Sequence, residues 1–132
     1  MRAMNVGEDE AVRLKEEVGV DQKENETVYE AVIPVLNDFK QQIQSYIEFY
    51  STSFDSGHAH ESAPQIGKII LCGGGTRIRG LEKHLTLSLG LPVELANPWV
   101  NILTSTPKEL PELPFIESVR YATALGLALG SI

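Results

Sequence analysis

The sequence predicts an α/β protein with a small sheet covered by helices, and three observations support this fold class. Residues 28–54 repeat apolar side chains at steps of three and four, which indicates a long amphipathic helix. Residues 68–72 and 91–96 are short apolar runs of the kind that form strands. A glycine-rich turn and a second helical pattern separate these two runs. This order over about 30 residues is typical of two parallel strands joined by a helix.

Composition and charge indicate one ordinary globular domain. The chain has 132 residues, of which 42% are hydrophobic and 22% charged, so it can bury a core and is neither disordered nor fibrous in type. The net charge of −7 argues against nucleic acid as a partner. No run approaches the roughly 20 apolar residues that span a bilayer. The N-terminus lacks a secretion signal, so we expect a cytoplasmic protein.

A short amphipathic helix is predicted over residues 8–18. Ala11, Leu14 and Val18 fall on one face of this helix, and acidic residues occupy its first turn. Gly19 follows the last apolar position and is a typical helix end. Residues 20–27 are polar and are predicted to form a loop.

The long helix over residues 28–54 contains Pro34. An internal proline removes a backbone donor and clashes with the preceding turn, so a kink or a restart is expected there. Residues 55–65 are small and polar and predict a flexible connector. His58 and His60 lie in this connector and, with Glu61, offer an incomplete set of metal ligands, so solvated histidines are the better interpretation.

The second half begins with a predicted buried strand, residues 68–72, that ends on the single cysteine, Cys72. We expect its thiol to be buried, as free cysteines usually are. A helix over residues 81–89 is closed by Gly90, and residues 91–96 form the next strand. The proline-rich residues 97–114 predict an irregular loop with a turn around Trp99 to Leu103. The helix over residues 118–129 is rich in Ala, Leu and Gly, so close packing of its backbone is expected.

Three consecutive glycines, Gly73 to Gly75, follow the predicted strand. Without β-carbons, this stretch lets a flat ligand lie directly on the peptide planes. The turn matches neither the P-loop motif nor the G-x-G-x-x-G fingerprint. The alternative to a ligand site is therefore a tight turn that binds nothing. The guanidinium of Arg77 can stack on an adenine face, or it can be a surface charge or pair with Glu82. Arg79 is expected to be solvated.

These residues carry a resemblance to a known family. CGGGTRIRGL resembles the adenosine-binding turn of the actin, Hsp70 and hexokinase superfamily. GGGTRIRGLEKHLTLSLGLPVELANPWVNI and RYATALGLALGSI are more particular, because they resemble the PilM family of type IV pilus assembly proteins. VLNDFKQQIQSYIEFY and EAVRLK fit helices of the same family. The resemblance implies the C-terminal lobe of an actin-like (ribonuclease H-like) ATPase fold, with residues 1–132 as a partial domain.

The resemblance also implies a nucleotide site, with ATP or ADP and Mg²⁺ as cofactors of the complete fold. Lys15 would approach the adenosine from an opposing helix. The acidic residue that the superfamily uses on the ribose hydroxyls falls at Val12, and Glu10 or Glu16 replaces it only through a change of register. The residues implied on the adenine side of the cleft are Gly73, Gly74, Gly75, Thr76 and Arg77.

The phosphate loops and catalytic carboxylate of the actin-like fold do not occur in this sequence. Phosphoryl transfer depends on positioning the γ-phosphate and its metal. We therefore expect this chain alone not to be an enzyme, and we expect it to be a fragment or a truncated product. The kinase alternative, the back lobe of a sugar or acyl kinase, meets the same objection, because no acidic residue has the context of a catalytic base.

The function that the resemblance implies is type IV pilus assembly at the cytoplasmic face of the inner membrane. In the family, the cytoplasmic tail of the inner-membrane protein PilN docks on PilM, so membrane association would run through a partner. One alternative is an FtsA-like cell-division protein, which would need a membrane-binding tail. Another is a scaffold lobe that ignores nucleotide, which Val12 favours. Exposed interior surface would also permit a homo-oligomer.

Overall fold

The computed structural model describes residues 4–20, 23–55, 65–100 and 112–130, without the side chains of residues 53–55. The chain divides into two compact units. The first comprises residues 1–69 and 78–93, and the second comprises residues 70–77 and 94–132. The predicted connector over residues 55–65, with its histidines, lies almost entirely outside the described residues.

Helix α1, Glu8–Glu17, opens the first unit and confirms the prediction for this segment. Its last backbone bond runs from the N–H of Val18 to the carbonyl of Leu14, at 3.0 Å. Gly19 follows with a φ of +62°, the left-handed conformation that glycine adopts at helix ends. No residue within α1 is fully buried, so the helix contributes a half-buried face to the unit.

Helix α2, Glu26–Asp55, is 30 residues long and begins two residues before the predicted start. The side-chain oxygen of Asn25 accepts a hydrogen bond from the backbone N–H of Val28, at 3.1 Å, which makes Asn25 the helix N-cap. The helix runs through Pro34 without restarting. Val28 and Leu36, on either side of Pro34, are both buried.

Helix α3, Leu81–Leu89, has the bounds that the sequence predicts and packs against α2 in the first unit. Gly80 precedes it with a φ of +78°, and Gly90 closes it with a φ of +69°. Leu81 and Leu85 are buried, and Leu85 is completely inaccessible to solvent. These leucines make α3 a principal part of the hydrophobic core.

Strands β1, Ile69–Leu71, and β2, Val93–Leu95, form a two-stranded parallel sheet, which confirms the α/β prediction. At one end of the pair, the N–H of Ile69 donates to the carbonyl of Pro92 at 2.8 Å. At the other end, the N–H of Ala96 donates to the carbonyl of Leu71 at 2.7 Å. The residues that follow β1 therefore leave the sheet at the carboxyl end of a parallel strand.

Burial of the first strand differs from the prediction. Leu71 is buried, but Ile70 is 58% exposed and Cys72 is exposed, so the predictions of a fully buried strand and a buried thiol are wrong. Successive side chains of a strand point to opposite faces. An apolar run predicts that both faces are covered, whereas in the described part of the chain only the face that carries Leu71 is covered.

The second unit ends in two short helices. Helix α4, Phe115–Ser118, leads through a 3₁₀ turn into helix α5, Ala122–Leu129, so the predicted single helix starts earlier and is interrupted. Close packing holds for the first residues of the predicted segment, since Ser118 and Val119 are completely buried, but not for α5. No residue of α5 is buried, and a β-carbon at Gly126 would meet nothing within 4 Å among the described residues.

The irregular segment predicted over residues 97–114 is described only at its two ends. Residues 98–100 form a turn, in agreement with the turn predicted at Trp99. Residues 101–111 lie outside the described residues. Among the helices that are described, none combines the length and the apolar character needed to span a membrane.

Candidate functional site

The glycine turn lies at the carboxyl end of β1, in the second unit. Gly73 has a φ of +92°, which reverses the chain after the strand, and Gly74–Thr76 forms one 3₁₀ turn. The hydroxyl of Thr76 donates to the carbonyl of Gly73 at 2.8 Å, and the backbone N–H of Thr76 reaches the same oxygen at 3.2 Å. The N–H of Gly73 donates to the carbonyl of Val119 at 3.2 Å. These bonds hold the turn in one conformation.

The surface of this turn is open. A β-carbon built on Gly73, Gly74 or Gly75 would meet nothing within 4 Å among the described residues. Of the three, only Gly73 has a backbone conformation that favours glycine. The packing and backbone of the described part of the chain therefore do not explain why Gly74 and Gly75 are glycines. A flat ligand that lies directly on the peptide planes does explain it.

Arg77 ends the 3₁₀ turn in the same unit, with a φ of −76° and a ψ of 50°. Its side chain is half-buried. The structure thus brings Gly73, Gly74, Gly75, Thr76 and Arg77 together in one short stretch of backbone beside the sheet. An arginine at the end of a turn without β-carbons is suited to stack on an aromatic ring.

Lys15 lies on α1, in the first unit, and not in the unit that holds the glycine turn. Its side chain is half-buried beside a cavity of about 110 Å³ between α1 and α2. Its carbonyl accepts a hydrogen bond from the N–H of Arg79 at 3.2 Å. The role of Lys15 beside adenosine stays a prediction.

The positions considered for ribose recognition also lie on α1. Val12 is 43% exposed. Glu10 forms an ion pair with Arg13 at 2.9 Å, and the hydrogen bond and charge of Glu10 raise the pKa of the Arg13 guanidinium above its ordinary value. Arg13 contacts only one carboxylate oxygen of Glu10, so the other oxygen could still accept from a ligand hydroxyl.

Arg79 is exposed, as expected, but it also makes contacts with distant residues that the sequence did not predict. Its backbone N–H donates to Lys15, and its carbonyl accepts from the N–H of Val20 at 3.0 Å. Its guanidinium donates to the carboxylate of Glu24 at 2.6 Å and to the carbonyl of Glu17. Arg79 therefore joins the end of α1 to the turn that precedes α3.

Gly19 is the sequence signal for this junction. A β-carbon at Gly19 would lie 2.1 Å from the carbonyl oxygen of Arg79, closer than any real contact. The sequence pattern already accounts for Gly19 as a helix end, so it gives no reason to expect the close approach to Arg79 as well. A contact between residues 60 positions apart leaves no local pattern from which it can be read.

Metal ligands do not cluster in the described part of the chain, where no group of three or more His, Cys, Asp or Glu side chains is placed to hold an ion. His58 and His60 lie outside those residues. The site that the structure does define is the open glycine turn.

The fold and the turn define the class of this protein, which is the C-terminal lobe of an actin-like ATPase fold. The sequence model of the family described as type IV pilus assembly protein PilM matches residues 1–132. The chain therefore belongs to the PilM family, and the resemblance seen in its sequence is confirmed.

A solved structure supports the same assignment. A chain of the PilM-PilN type IV pilus biogenesis complex is 30% identical to this one, with a TM-score of 0.68. The match covers 98% of this chain and 33% of the other, so this chain spans about a third of the length of that relative. No curated protein matches the sequence.

Proposed function

We propose that this chain works in type IV pilus assembly as the lobe that holds the adenine end of ATP or ADP. Gly73 to Thr76 form the surface on which the base lies, and Arg77 stacks against it. Lys15 approaches the adenosine from α1. Membership of the PilM family supports the pilus role, and the glycine turn supports the nucleotide.

The observation that carries the nucleotide proposal is the pair Gly74 and Gly75. Neither has a positive φ, and in the part of the chain that the structure describes neither has a neighbour that would exclude a β-carbon. A turn that only reverses the chain would accept alanine at both positions. Their joint presence on an open surface fits the approach of an aromatic base.

The same proposal makes the chain a binding lobe and not a catalyst by itself. Mg²⁺ and the phosphates would be held by loops that this sequence does not contain, and phosphoryl transfer depends on those loops. ATP hydrolysis is therefore expected only from a complete actin-like fold.

We further propose that the complete protein docks on the cytoplasmic tail of an inner-membrane pilus protein similar to PilN. The related chain was solved in a PilM-PilN complex, which supports a partner of this kind. Under this proposal the protein is cytoplasmic and reaches the inner membrane through that partner.

A nucleotide-independent scaffold is a second candidate, and Val12 favours it. An isopropyl group cannot accept hydrogen bonds from two ribose hydroxyls, and unpaired polar groups in a binding site weaken affinity. The two candidates make opposite predictions about ATP.

Calorimetric titration of ATP into the protein, at the length at which it occurs in the cell, separates the candidates. Gly75→Val should weaken binding at least about tenfold, because a branched side chain on the turn displaces the base. Gly67→Val is the matched control, since a β-carbon at Gly67 also meets nothing within 4 Å. A parent that ignores ATP would favour the scaffold. Equal ATP affinity of both variants and the parent would remove the turn from the site.

Co-purification with the tail of a PilN-type protein tests the pilus partner. Under the leading proposal the complete protein retains the tail. Retention by Gly75→Val as well would show that partner binding does not need the nucleotide. Failure of the parent to retain any such tail would contradict the partner assignment.

A further inference from the structure

A second concave surface lies in the first unit, around the start of α3. Its volume is about 290 Å³, and it is open to solvent. Two of its residues precede α3, three lie on α3 and one lies on the turn after α1: Arg79 and Gly80, then Lys83, His84 and Leu87, and finally Val20. We call this surface the α3 cleft. None of its residues belongs to the glycine turn.

The α3 cleft gathers basic side chains in an acidic chain. The protein carries a net charge of −7, yet Arg79, Lys83 and His84 line one small surface. The guanidinium of Arg79 already forms an ion pair with the carboxylate of Glu24. Among the described residues, the side chains of Lys83 and His84 have no hydrogen bond or ion pair. The described part of the first unit therefore does not pair the charge of Lys83 with an acidic group.

An apolar group stands beside these basic side chains. Leu87 is 76% exposed, although it lies on the same helix as the completely buried Leu85. Lys83 and Leu87 are four residues apart, so they share one face of α3. Val20 adds a half-buried apolar side chain to the same surface. A ligand for this surface should combine negative charge with an apolar side chain.

We propose that the α3 cleft docks an acidic peptide segment of a partner protein. A carboxylate of the segment pairs with Lys83 and His84, and a neighbouring large apolar side chain covers Leu87. Charge complementarity selects the segment, and apolar contact adds to its affinity.

A small free anion fits the α3 cleft less well. Lys83 and Arg79 are exposed, and an ion pair between exposed groups in water contributes little on its own. The exposed surface of Leu87 would also stay uncovered by phosphate. A peptide uses both halves of the surface, so it is the occupant that the chemistry favours.

An NMR titration of the full chain tests the proposal. The probe is a blocked hexapeptide of four glutamates and two leucines, in the order Glu-Leu-Glu-Glu-Leu-Glu. We expect the peptide to change the backbone amide chemical shifts of the protein mainly at residues 79–87. Lys83→Glu should raise the dissociation constant about fivefold or more, because a favourable rim charge becomes a repulsive one. Leu87→Ser, at an exposed position, should also weaken binding without unfolding the chain.

Three controls make the proposal falsifiable. Lys40→Glu changes the net charge by the same amount but lies on α2, outside the cleft, so it should leave the affinity within about twofold of the parent. The hexapeptide with glutamine in place of glutamate should not bind. Three results would overturn the proposal: no shifts at residues 79–87, equal weakening by both lysine variants, or displacement of the peptide by inorganic pyrophosphate at a lower concentration, which would indicate a small-anion site.

Discussion

Arg79 joins three segments of the first unit through its backbone and its side chain. Lys15 and Val20 bond to its peptide groups, and Glu24 bonds to its guanidinium. The carbonyl oxygen of Arg79 lies where a β-carbon on Gly19 would collide with it. The close backbone approach at Gly19 and the exposed ion pair of Arg79 should contribute differently to the free energy of unfolding, and two variants compare them.

Gly19→Ala should destabilise the protein more than Arg79→Ala. Alanine at Gly19 combines an unfavourable φ of +62° with a backbone clash at 2.1 Å, so we expect a loss of about 2–4 kcal/mol. Arg79→Ala removes a partly exposed ion pair and a hydrogen bond, so we expect about 1 kcal/mol. Urea denaturation followed by circular dichroism measures both, with Gly67→Ala as a neutral control. The reverse order would contradict the close approach at Gly19.

Arg77→Ala should weaken adenine nucleotide binding without unfolding the chain. A cation stacked on an aromatic ring contributes about 0.5–2 kcal/mol, or between about two- and thirtyfold in affinity. Calorimetry at matched salt measures the effect, and a thermal melt checks the fold. Unchanged affinity would remove Arg77 from the proposed site.

At the scale of elements, apolar periodicity predicts the helices well. The bounds of α1 and α3 agree with the sequence pattern, because each ends at a glycine with a positive φ. The predicted start of α2 lies two residues too late. The prediction used apolar spacing, which does not detect a polar N-cap such as Asn25. Periodicity also cannot show which faces find neighbours, which is why the burial of β1 and the packing of α5 were mispredicted.

Helix α3 offers a matched test of burial. Leu85→Ala should cost about 2–5 kcal/mol of unfolding free energy, because Leu85 is completely buried and its loss leaves a cavity. Leu87→Ala, two positions away and 76% exposed, should cost less than about 0.5 kcal/mol. Urea denaturation of the two variants gives the comparison. Similar costs would contradict the orientation of α3.

At the scale of the whole molecule, the PilM family and the actin-like lobe could be predicted from the sequence, because long stretches around the glycine turn resemble that family. Gly73, Gly74 and Gly75 were singled out from the glycine run itself, and their role as a nucleotide site stays a prediction. The Arg79 junction and the α3 cleft could not be predicted, since each joins residues that are far apart in the chain.

The chain alone should self-associate at high concentration. Helix α2 exposes large apolar side chains at steps of three and seven: Phe39 at 39%, Tyr46 at 74% and Phe49 at 70%. Contiguous exposed apolar surface promotes association, and the charge of −7 opposes it. Sedimentation velocity should show concentration-dependent species in the parent chain and fewer in Phe49→Lys. A parent that stays monomeric at every concentration would contradict this expectation.

A crystal structure of the protein, at its length in the cell and grown with ADP, tests the nucleotide proposal most directly. We expect the adenine ring to lie in van der Waals contact with the backbone of Gly74 and Gly75, and the guanidinium of Arg77 to stack on the ring. A nucleotide bound away from this turn would contradict the proposal. So would the absence of nucleotide at an ADP concentration that saturates binding in solution.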